Sequence, residues 1–481
     1  MPVVDRRTVI VATSGALAAL VPAALLRGFT VDDALITARY AAHLARGLGY
    51  RFNAAGAVTD GVTPLGFPYL LAPFARGGPL AALAAAKILG VIAWTLASAL
   101  LAVAIDRLAA PASASPARRH LRFVALVMIA CSAPLAAWSV AGMETGLAIA
   151  LAALAVALPE LGVSLAGAAC GGLVAALRPE ALPFALALAI TPAPRDRDRR
   201  VARVALALAP FLMVVAVRLL VFGRPVPLAV LAKPSDAAHG VNYAVACFLL
   251  TGPIALIAPF AWARLGGWGR GLVLAVLAHF AAIALAGGDW MPLSRLAAPA
   301  IPAAALAFAR LALVADPRAT VARVMLALAG ELFQLVKIGP AAARVGAARL
   351  AVIDELRAPL AGAKVVAALD IGWLGAATDA TLVDLAGLTD PAIAALPGGH
   401  TSKAIPRTML DARGVDAVVL LVKDGEPVVE PWSDTFFARI VELRIASIPG
   451  MADAFRPVAV SRVPHLGYVV LRRADQLKQS M

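Results

Sequence analysis

Apolar runs long enough to cross a lipid bilayer recur through the first 340 residues of the chain. A membrane-spanning helix needs about 20 mainly apolar residues. Eleven transmembrane helices are predicted, near residues 8–27, 79–106, 121–139, 143–158, 162–178, 181–193, 202–222, 243–263, 270–287, 295–315 and 321–338. The composition agrees, because 61% of the 481 residues are hydrophobic and 15% are charged. These proportions argue against a water-soluble enzyme, a disordered protein and a disulfide-stabilised scaffold.

Arginines between the apolar runs predict the orientation of the chain. Cytoplasmic loops of membrane proteins carry the excess of Lys and Arg, and the whole formal net charge of +14 falls in the first 340 residues. With eleven spans, one side receives the arginine clusters Arg6/Arg7, Arg107/Arg118/Arg119/Arg122, Arg195/Arg197/Arg199/Arg200/Arg203, Arg264/Arg270 and Arg318/Arg323. We expect this side to be cytoplasmic, with the protein in a bacterial inner membrane and its N-terminus in the cytoplasm.

The same rule predicts the outward segments, which are loops 28–63, 223–242 and 288–294 and the chain from about 341. The Pro-rich segment 64–76 is too short for a confident span, and a re-entrant or interfacial helix is the alternative. A twelfth span there would move the Arg107–Arg122 loop outside and break the charge pattern.

The chain from 341 to 481 predicts a small extracytoplasmic α/β domain behind a transmembrane domain of residues 1–340. Its acidic and basic residues balance, and Val- and Leu-rich runs at 364–368, 417–422 and 467–471 alternate with helix-like stretches. The three cysteines fall in apolar runs without zinc-motif spacing, so neither a zinc site nor a disulfide framework is predicted. The basic excess lacks a basic-aromatic face, which argues against a nucleic-acid partner.

Two adjacent acids, Asp32 and Asp33, follow the first apolar run within a few residues. Charge at a membrane boundary is costly unless it is solvated or used, so the pair is a candidate site. One carboxylate would accept a proton from an attacking hydroxyl, while the other orients it or binds a cation. The alternative is structural, with both acids stabilising the dipole of an amphipathic helix that contains Leu35, Ile36 and Tyr40.

Six motifs in order resemble a family of bacterial membrane glycosyltransferases. They are Asp32-Asp33-Ala34-Leu35-Ile36 with Arg39-Tyr40; Gly142-Met143-Glu144-Thr145; Arg178-Pro179-Glu180; Gly223 to Pro227 with Lys233; Gly287-Gly288-Asp289-Trp290 with Arg295; and Asp384-Leu385-Ala386-Gly387-Leu388-Thr389-Asp390-Pro391. The family is of the polytopic GT-C type, and its best-known members are the actinobacterial terminal arabinofuranosyltransferases of cell-wall assembly. Two departures affect sugar or acceptor specificity: Pro227-Leu228-Ala229 replaces Pro-Asn-Thr, and Val62-Thr63 replaces Tyr-Thr.

The resemblance implies an α-helical polytopic GT-C-type fold that transfers a sugar, for instance arabinofuranose, from a polyprenyl-phosphate donor to an envelope glycan or glycoconjugate. It implies Asp32 as general base, with Asp33 as its partner or a metal ligand. Donor-phosphate binding falls to Lys233, Arg178 and Arg295, and substrate binding to Arg39, Tyr40, Glu144, Glu180 and Asp289. No cofactor is assigned, and a divalent cation is one hypothesis.

Structural explanations stay open for these residues. Arg178 and Arg295 are also typical of arginines that extend from a helix end towards water, Lys233 of a solvated loop charge, and Glu144 and Asp289 of cap or turn residues. Two other functions stay open for the chain. A transporter or flippase of lipid-linked sugars would use the same charges for passage. A non-catalytic relative would serve as a scaffold.

Overall fold

The computed structural model describes residues 5–194, 199–257, 259–423, 436–461, 463 and 467–479. Arg195 and Arg197, used above for orientation, lie outside this part of the chain. The chain divides into two compact units. The helical unit comprises Met1–Phe29, Ala86–Val217 and Ser235–Ala343. The mixed unit comprises Thr30–Ala85, Arg218–Pro234 and Arg344–Met481.

Helices form 65% of the structure. The longer α-helices are Arg6–Leu25, Asp32–Ala45, Pro79–Asp106, Thr145–Glu160, Ser164–Leu177, Arg200–Phe222, Ala237–Leu250, Gly266–Leu285, Ile301–Val314, Pro317–Lys337 and Gly339–Arg357. The shorter ones are Phe67–Leu71, Pro116–Leu121, Val124–Cys131, Ala133–Val140, Leu182–Ile190, Leu228–Ala232, Ile371–Ala377, Pro391–Ala394, Arg407–Ala412, Ile440–Ala446, Met451–Ala454 and Ala474–Gln479. Single 3₁₀ turns cover Ala72–Phe74, Pro179–Ala181, Pro253–Leu256, Pro259–Arg264 and Ala298–Ala300.

Five helical stretches in the described chain are long and apolar enough to cross a membrane. They are Arg6–Leu25, Pro79–Asp106, Arg200–Phe222, Gly266–Leu285 and Pro317–Arg357. A sixth forms if Pro116–Cys131 and Ala133–Val140, which meet at a bend of 50°, count as one span. The mostly helical fold with a small C-terminal sheet is therefore confirmed, while the count of eleven spans stays a prediction.

Proline and glycine explain where the observed helices are shorter than the predicted spans. The run 121–139 bends next to Pro134, which has no N–H to continue the helix. The run 243–263 stops being α-helical after Leu250, because Gly252 takes a left-handed φ of 95° and Pro253 begins a 3₁₀ turn. Segment 64–76 contains the five-residue helix Phe67–Leu71 and one 3₁₀ turn.

The sheet of the mixed unit has the order β2-β1-β3-β5-β4. Its strands are β1 Val365–Ala368, β2 Thr381–Asp384, β3 Ala417–Val422, β4 Phe455–Val460 and β5 Gly467–Arg473. Strand β1 lies parallel to β2 and β3, whereas β5 is antiparallel to β3 and β4. Strands β1, β3 and β5 correspond to the three predicted runs. Their apolar side chains, including Val418, Val469 and Leu471, form the core of the unit with Phe455.

The helix Asp32–Ala45 packs within the mixed unit against the helix Ile371–Ala377. Gly372 and Gly375 lie three residues apart, on one face of the second helix. A Cβ at Gly372 would lie 2.0 Å from the Asp32 carbonyl oxygen, and one at Gly375 would lie 3.0 Å from Arg39. The two glycines therefore allow a close helix contact, and the segment after the first apolar run shares a compact unit with the C-terminal chain.

Candidate functional site

The Asp32 carboxylate is held by the N-terminus of another helix. Its oxygens accept hydrogen bonds from the backbone N–H groups of Gly372, at 3.1 Å, and Trp373, at 2.8 Å. These N–H groups belong to the first turn of Ile371–Ala377, where no intrahelical acceptor exists. Asp32 thus caps a helix far along the chain, at the positive end of its dipole.

Burial and the neighbouring Asp370 carboxylate raise the pKa of Asp32 well above its usual value, although the two N–H bonds act in the opposite direction. A carboxyl group with a raised pKa is a stronger base once it is ionised. The surroundings of Asp32 therefore make its carboxylate more basic than that of an ordinary aspartate.

Asp370 immediately precedes the helix that Asp32 caps, and its own carboxylate points to a different set of partners. It pairs with Arg439, at 3.0 Å, and with Arg349, at 3.9 Å, and it accepts a hydrogen bond from the Tyr468 hydroxyl. Burial alone would raise the pKa of Asp370, but these two guanidinium groups and the hydroxyl outweigh it and hold the pKa below its usual value. Asp370 therefore ionises at a lower pH than Asp32.

Gly372→Ala should destabilise the mixed unit by about 1–3 kcal/mol or more, because a methyl group has no room beside the Asp32 backbone. The measurement is the midpoint of urea unfolding for the purified protein in detergent. Gly66→Ala is the matched control, since nothing lies within 4 Å of a Cβ built there. Equal midpoints for the two variants would contradict the close contact.

Asp33 is partly exposed in the first turn of Asp32–Ala45. The residue before that helix, Val31, provides no side-chain cap. The structural explanation for the acid pair therefore applies in part, since both acids lie at the positive end of their own helix. The hydrogen bonds that Asp32 accepts from the helix Ile371–Ala377 are not part of that structural explanation, which concerned only the dipole of the acids' own helix.

Arg39 and Tyr40 are buried and tied to the protein backbone or to hydroxyl groups. The Arg39 guanidinium donates to the carbonyl oxygens of Phe52 at 2.9 Å, Gly375 at 2.8 Å and Ala380 at 3.1 Å. Tyr40 Oη lies 2.8 Å from Thr59 Oγ1. These contacts give both side chains a structural role in holding the Asp32 helix, and their predicted role in substrate binding remains untested.

Residues 59–61 of the mixed unit contact three of the motif regions. Thr59 contacts Tyr40, Asp60 contacts the segment that follows Pro227, and Gly61 lies next to Thr389. The Asp60 carboxylate pairs with Arg218 at 2.7 Å, and its carbonyl oxygen accepts the Leu228 N–H at 2.9 Å. The helix Leu228–Ala232 begins there, ends just before Lys233 and contacts Pro391–Ala394. Lys233 is half-buried; its backbone N–H donates to the Ala229 carbonyl oxygen at 3.0 Å, and its ammonium group forms no hydrogen bond or ion pair in the part of the chain that the structure describes.

Asp384 organises the turn that contains the Asp384–Pro391 motif. Its buried carboxylate accepts N–H groups of Ala386 at 2.9 Å, Gly387 at 3.2 Å and Thr389 at 2.7 Å, and the Thr389 hydroxyl at 3.0 Å. Burial nevertheless raises its pKa to about 6. This motif therefore has a turn-forming function, and a Cβ at Gly61 would lie 2.7 Å from Thr389.

Asp384 should make the stability of the mixed unit depend on pH. The native carboxyl binds its proton more tightly than the unfolded one, so its contribution is complete below about pH 4 and is lost as the pH rises through about 6. The loss is roughly 3 kcal/mol. The free energy of unfolding, measured against pH, should show this step in the unchanged protein, whereas Asp384→Asn should lack it. A step that persists in Asp384→Asn would assign it to another group.

The helical unit brings Glu144, Arg178 and Glu180 together. Arg178 Nε lies 3.0 Å from Glu144 Oε1, and its Nη1 lies 3.7 Å from Glu180 Oε1. Its Nη2 donates to Thr145 Oγ1 at 2.8 Å. Glu144 and Arg178 are buried. Two motifs that are separate in sequence therefore share one buried ion pair.

Asp289 and Arg295 form a second ion pair in the helical unit. The Arg295 guanidinium donates from Nε to Asp289 Oδ2 at 2.6 Å and from Nη2 to Oδ1 at 3.1 Å. Arg295 also lies over the Trp138 ring, at 5.8 Å, and beside Met143 Sδ, at 3.8 Å. Met143 links this pair to the Glu144 motif. The adjoining Trp290 is 69% exposed and stacks on the His239 ring.

The structure thus groups the predicted site residues into two sets. Asp32, Asp33, Arg39, Tyr40 and Lys233 belong to the mixed unit, and Glu144, Arg178, Glu180, Asp289 and Arg295 to the helical unit. Among the described residues, no three His, Cys, Asp or Glu side chains come together as a group that could hold a metal ion.

The site predicted from the sequence did not include the group around the Asp370 carboxylate, which consists of Asp370, Arg349, Arg439 and Tyr468. These residues follow no spacing pattern, because they come together only when the sheet forms. The glycines at 372 and 375 are a sequence signal that could have indicated the close approach of their helix to another element, and the sequence analysis did not use it.

The fold and these groups define a helical protein with membrane-length apolar helices and a small C-terminal α/β sheet. Residues 341–461, about a quarter of the chain, match the family model described as a domain of unknown function, DUF8728. That match includes Asp370, Gly372 and Asp384. Neither the curated proteins nor the solved structures gave a match.

Proposed function

We propose that this protein is a membrane glycosyltransferase of the GT-C type. It transfers a sugar, such as arabinofuranose, from a polyprenyl-phosphate donor to a hydroxyl of an envelope glycan or glycoconjugate. The proposal includes eleven spans in a bacterial inner membrane, a cytoplasmic N-terminus and an outward-facing C-terminal domain. The long apolar helices and the ordered motifs support it.

The observation that carries the proposal is the environment of Asp32. Asp32 is a partly exposed residue, and its carboxyl group is oriented by two backbone N–H groups and has a raised pKa. A general base needs a fixed orientation, access to its substrate and a pKa nearer to the working pH than that of an ordinary Asp. A merely structural helix cap would need the orientation alone.

In the proposed reaction, the ionised Asp32 accepts the proton of the acceptor hydroxyl. The acceptor oxygen forms a bond to the anomeric carbon of the donor, and the bond from that carbon to the lipid phosphate breaks. The phosphate leaves with the electron pair. Resemblance to GT-C enzymes implies inversion at the anomeric carbon. Asp33 lies next to the base and helps to orient the hydroxyl.

Lys233 is our candidate for binding the donor phosphate in the mixed unit. Its ammonium group is unpaired within the described chain, so its positive charge is available to an anion. Arg178 and Arg295 already pair with carboxylates. A role for those two arginines in phosphate binding therefore requires a ligand that competes with Glu144 and Asp289.

Two assays test the proposal. The envelope glycans of a strain that lacks this protein should lose a terminal sugar by mass analysis, and the full-length protein in lipid vesicles should transfer labelled sugar from a polyprenyl-phosphate donor to glycan fragments. A transporter would instead move the lipid-linked sugar across the vesicle membrane without forming a product. Movement without transfer would overturn the proposal.

A further inference from the structure

Glu331 is a buried acid within the helix Pro317–Lys337 of the helical unit. Its side chain belongs to a residue that is 0% exposed. Neither carboxyl oxygen has a hydrogen-bond partner of normal geometry in the described part of the chain. The proposed transferase chemistry does not use this residue, so its burial needs a separate explanation.

Two breaks in neighbouring helices surround the Glu331 carboxyl. The hydroxyl of Ser132 faces it from the bend between Val124–Cys131 and Ala133–Val140. On the other side, a Cβ built at Gly252 would lie 3.0 Å from Glu331 Oε1. Gly252 has a φ of 95° and precedes a 3₁₀ turn. Pro134 supplies no N–H to the carbonyl four residues before it, so the bend leaves a backbone acceptor unmatched within its helix.

Within the described residues, no arginine, lysine or histidine is among the groups that act on the Glu331 carboxyl. Cys131, on the adjacent helix, is the titratable group that faces it in the described residues. Titratable groups on the other elements that pack against Pro317–Lys337 interact with other residues. Arg310 pairs with Glu160, His239 stacks on Trp290, and Tyr243 accepts the Leu296 N–H. The short helix Pro116–Leu121 carries Arg118, Arg119 and His120.

An ionised carboxylate without a cation is strongly disfavoured in an apolar bundle, and a buried acid usually neutralises instead. A protonated carboxyl group is neutral and has an O–H to donate, which matches surroundings that contain the Ser132 hydroxyl, itself without a hydrogen-bond partner in the described residues. The geometry points to Glu331 as a proton-binding site: we propose that it carries a proton at neutral pH. This site is separate from the proposed transferase chemistry.

Infrared spectroscopy of the full-length protein in lipid vesicles at neutral pH tests this inference. The carbonyl stretch of a protonated carboxyl group should be present in the unchanged protein, and one such band should be missing from the spectrum of Glu331→Gln. Asp354→Asn is the matched control, because Asp354 is 75% exposed and its removal should leave that band intact. Identical spectra for the unchanged protein and Glu331→Gln would overturn the proposal.

A second measurement uses the unchanged protein and so does not depend on the folding of a variant. An apolar carbodiimide, which reacts with protonated carboxyl groups, should leave an adduct on the peptide containing Glu331 by mass spectrometry. A water-soluble carbodiimide should instead modify the exposed Glu355. Absence of the adduct would contradict a protonated Glu331. Protection by sodium chloride, but not by choline chloride, would identify a metal-cation site and overturn the proton assignment.

Discussion

Replacing Asp32 with asparagine should lower the rate of sugar transfer by about 10²–10⁴-fold, because the amide cannot accept the proton of the acceptor hydroxyl. The amide oxygen can still accept one of the two N–H groups from Gly372 and Trp373. Loss of the other hydrogen bond costs about 1 kcal/mol, so the variant should remain folded. The measurement is transfer of labelled sugar by equal amounts of protein in vesicles.

Asp354→Asn provides the matched control for the activity measurement. Asp354 belongs to the same unit, is largely exposed and pairs only weakly with Arg357, at 3.5 Å. This variant should transfer sugar at the rate of the unchanged protein. If Asp32→Asn matched that rate as well, Asp32 would be a structural cap and the proposed base would have to be sought elsewhere.

The pH dependence of transfer should report the interaction between Asp32 and Asp370. The base is active when ionised, so the rate should rise with pH through a pKa above the usual value for Asp. Asp370→Asn removes a negative charge near Asp32 and should move this rise towards lower pH. A purely structural role for Asp370 would change the maximal rate but leave the midpoint of the rise unchanged.

Replacing Arg218 with methionine should destabilise the protein by about 3–5 kcal/mol. Asp60 and Arg218 are 0% and 2% exposed, and the substitution would leave the Asp60 carboxylate buried without its positive partner. The Arg218 guanidinium also donates to the carbonyl oxygens of Val62 and Thr63, so residues 60–63 would lose their attachment. The free energy of urea unfolding in detergent is the quantity to measure.

A second substitution distinguishes loss of the ion pair from loss of side-chain volume. Combining Arg218→Met with Asp60→Asn should recover part of the stability, because the remaining buried group is then neutral. Arg357→Met removes an exposed arginine and should change the free energy by less than about 0.5 kcal/mol. No recovery in the double variant would show that the carboxylate is not the source of the cost.

Sequence patterns predicted the features that depend on nearby residues. Each apolar run overlaps at least one α-helix, although 121–139 and 243–263 are broken, and the runs at 364–368, 417–422 and 467–471 correspond to strands. Strand β2 was missed because only two of its four residues, Leu382 and Val383, are apolar, and strand β4 because Arg456 and Pro457 interrupt its apolar pattern. Helix breaks at Ser132 and Gly252 depend on single residues within long apolar runs, which a count of hydrophobic residues does not detect.

The candidate site was predictable only in part, for a different reason. Adjacent acids drew attention to Asp32, but Asp370, Gly372 and Trp373, which also change its pKa, lie more than 300 positions later in the chain. The same holds for Arg39, whose partners include the carbonyl oxygens of Gly375 and Ala380. Such long-range pairs leave no periodic pattern in one sequence, whereas the ion pair of Glu144 with Arg178 joins two motifs that had been noticed separately.

The discontinuous make-up of the mixed unit affects how the protein is made. Chains are synthesised from the N-terminus, so the Asp32 helix emerges long before the strands and the helix Ile371–Ala377. Until those arrive, the Arg39 guanidinium lacks its later carbonyl acceptors. A ribosome that stops before residue 344 would therefore release a mixed unit without its sheet and without the helix that holds the Asp32 carboxylate.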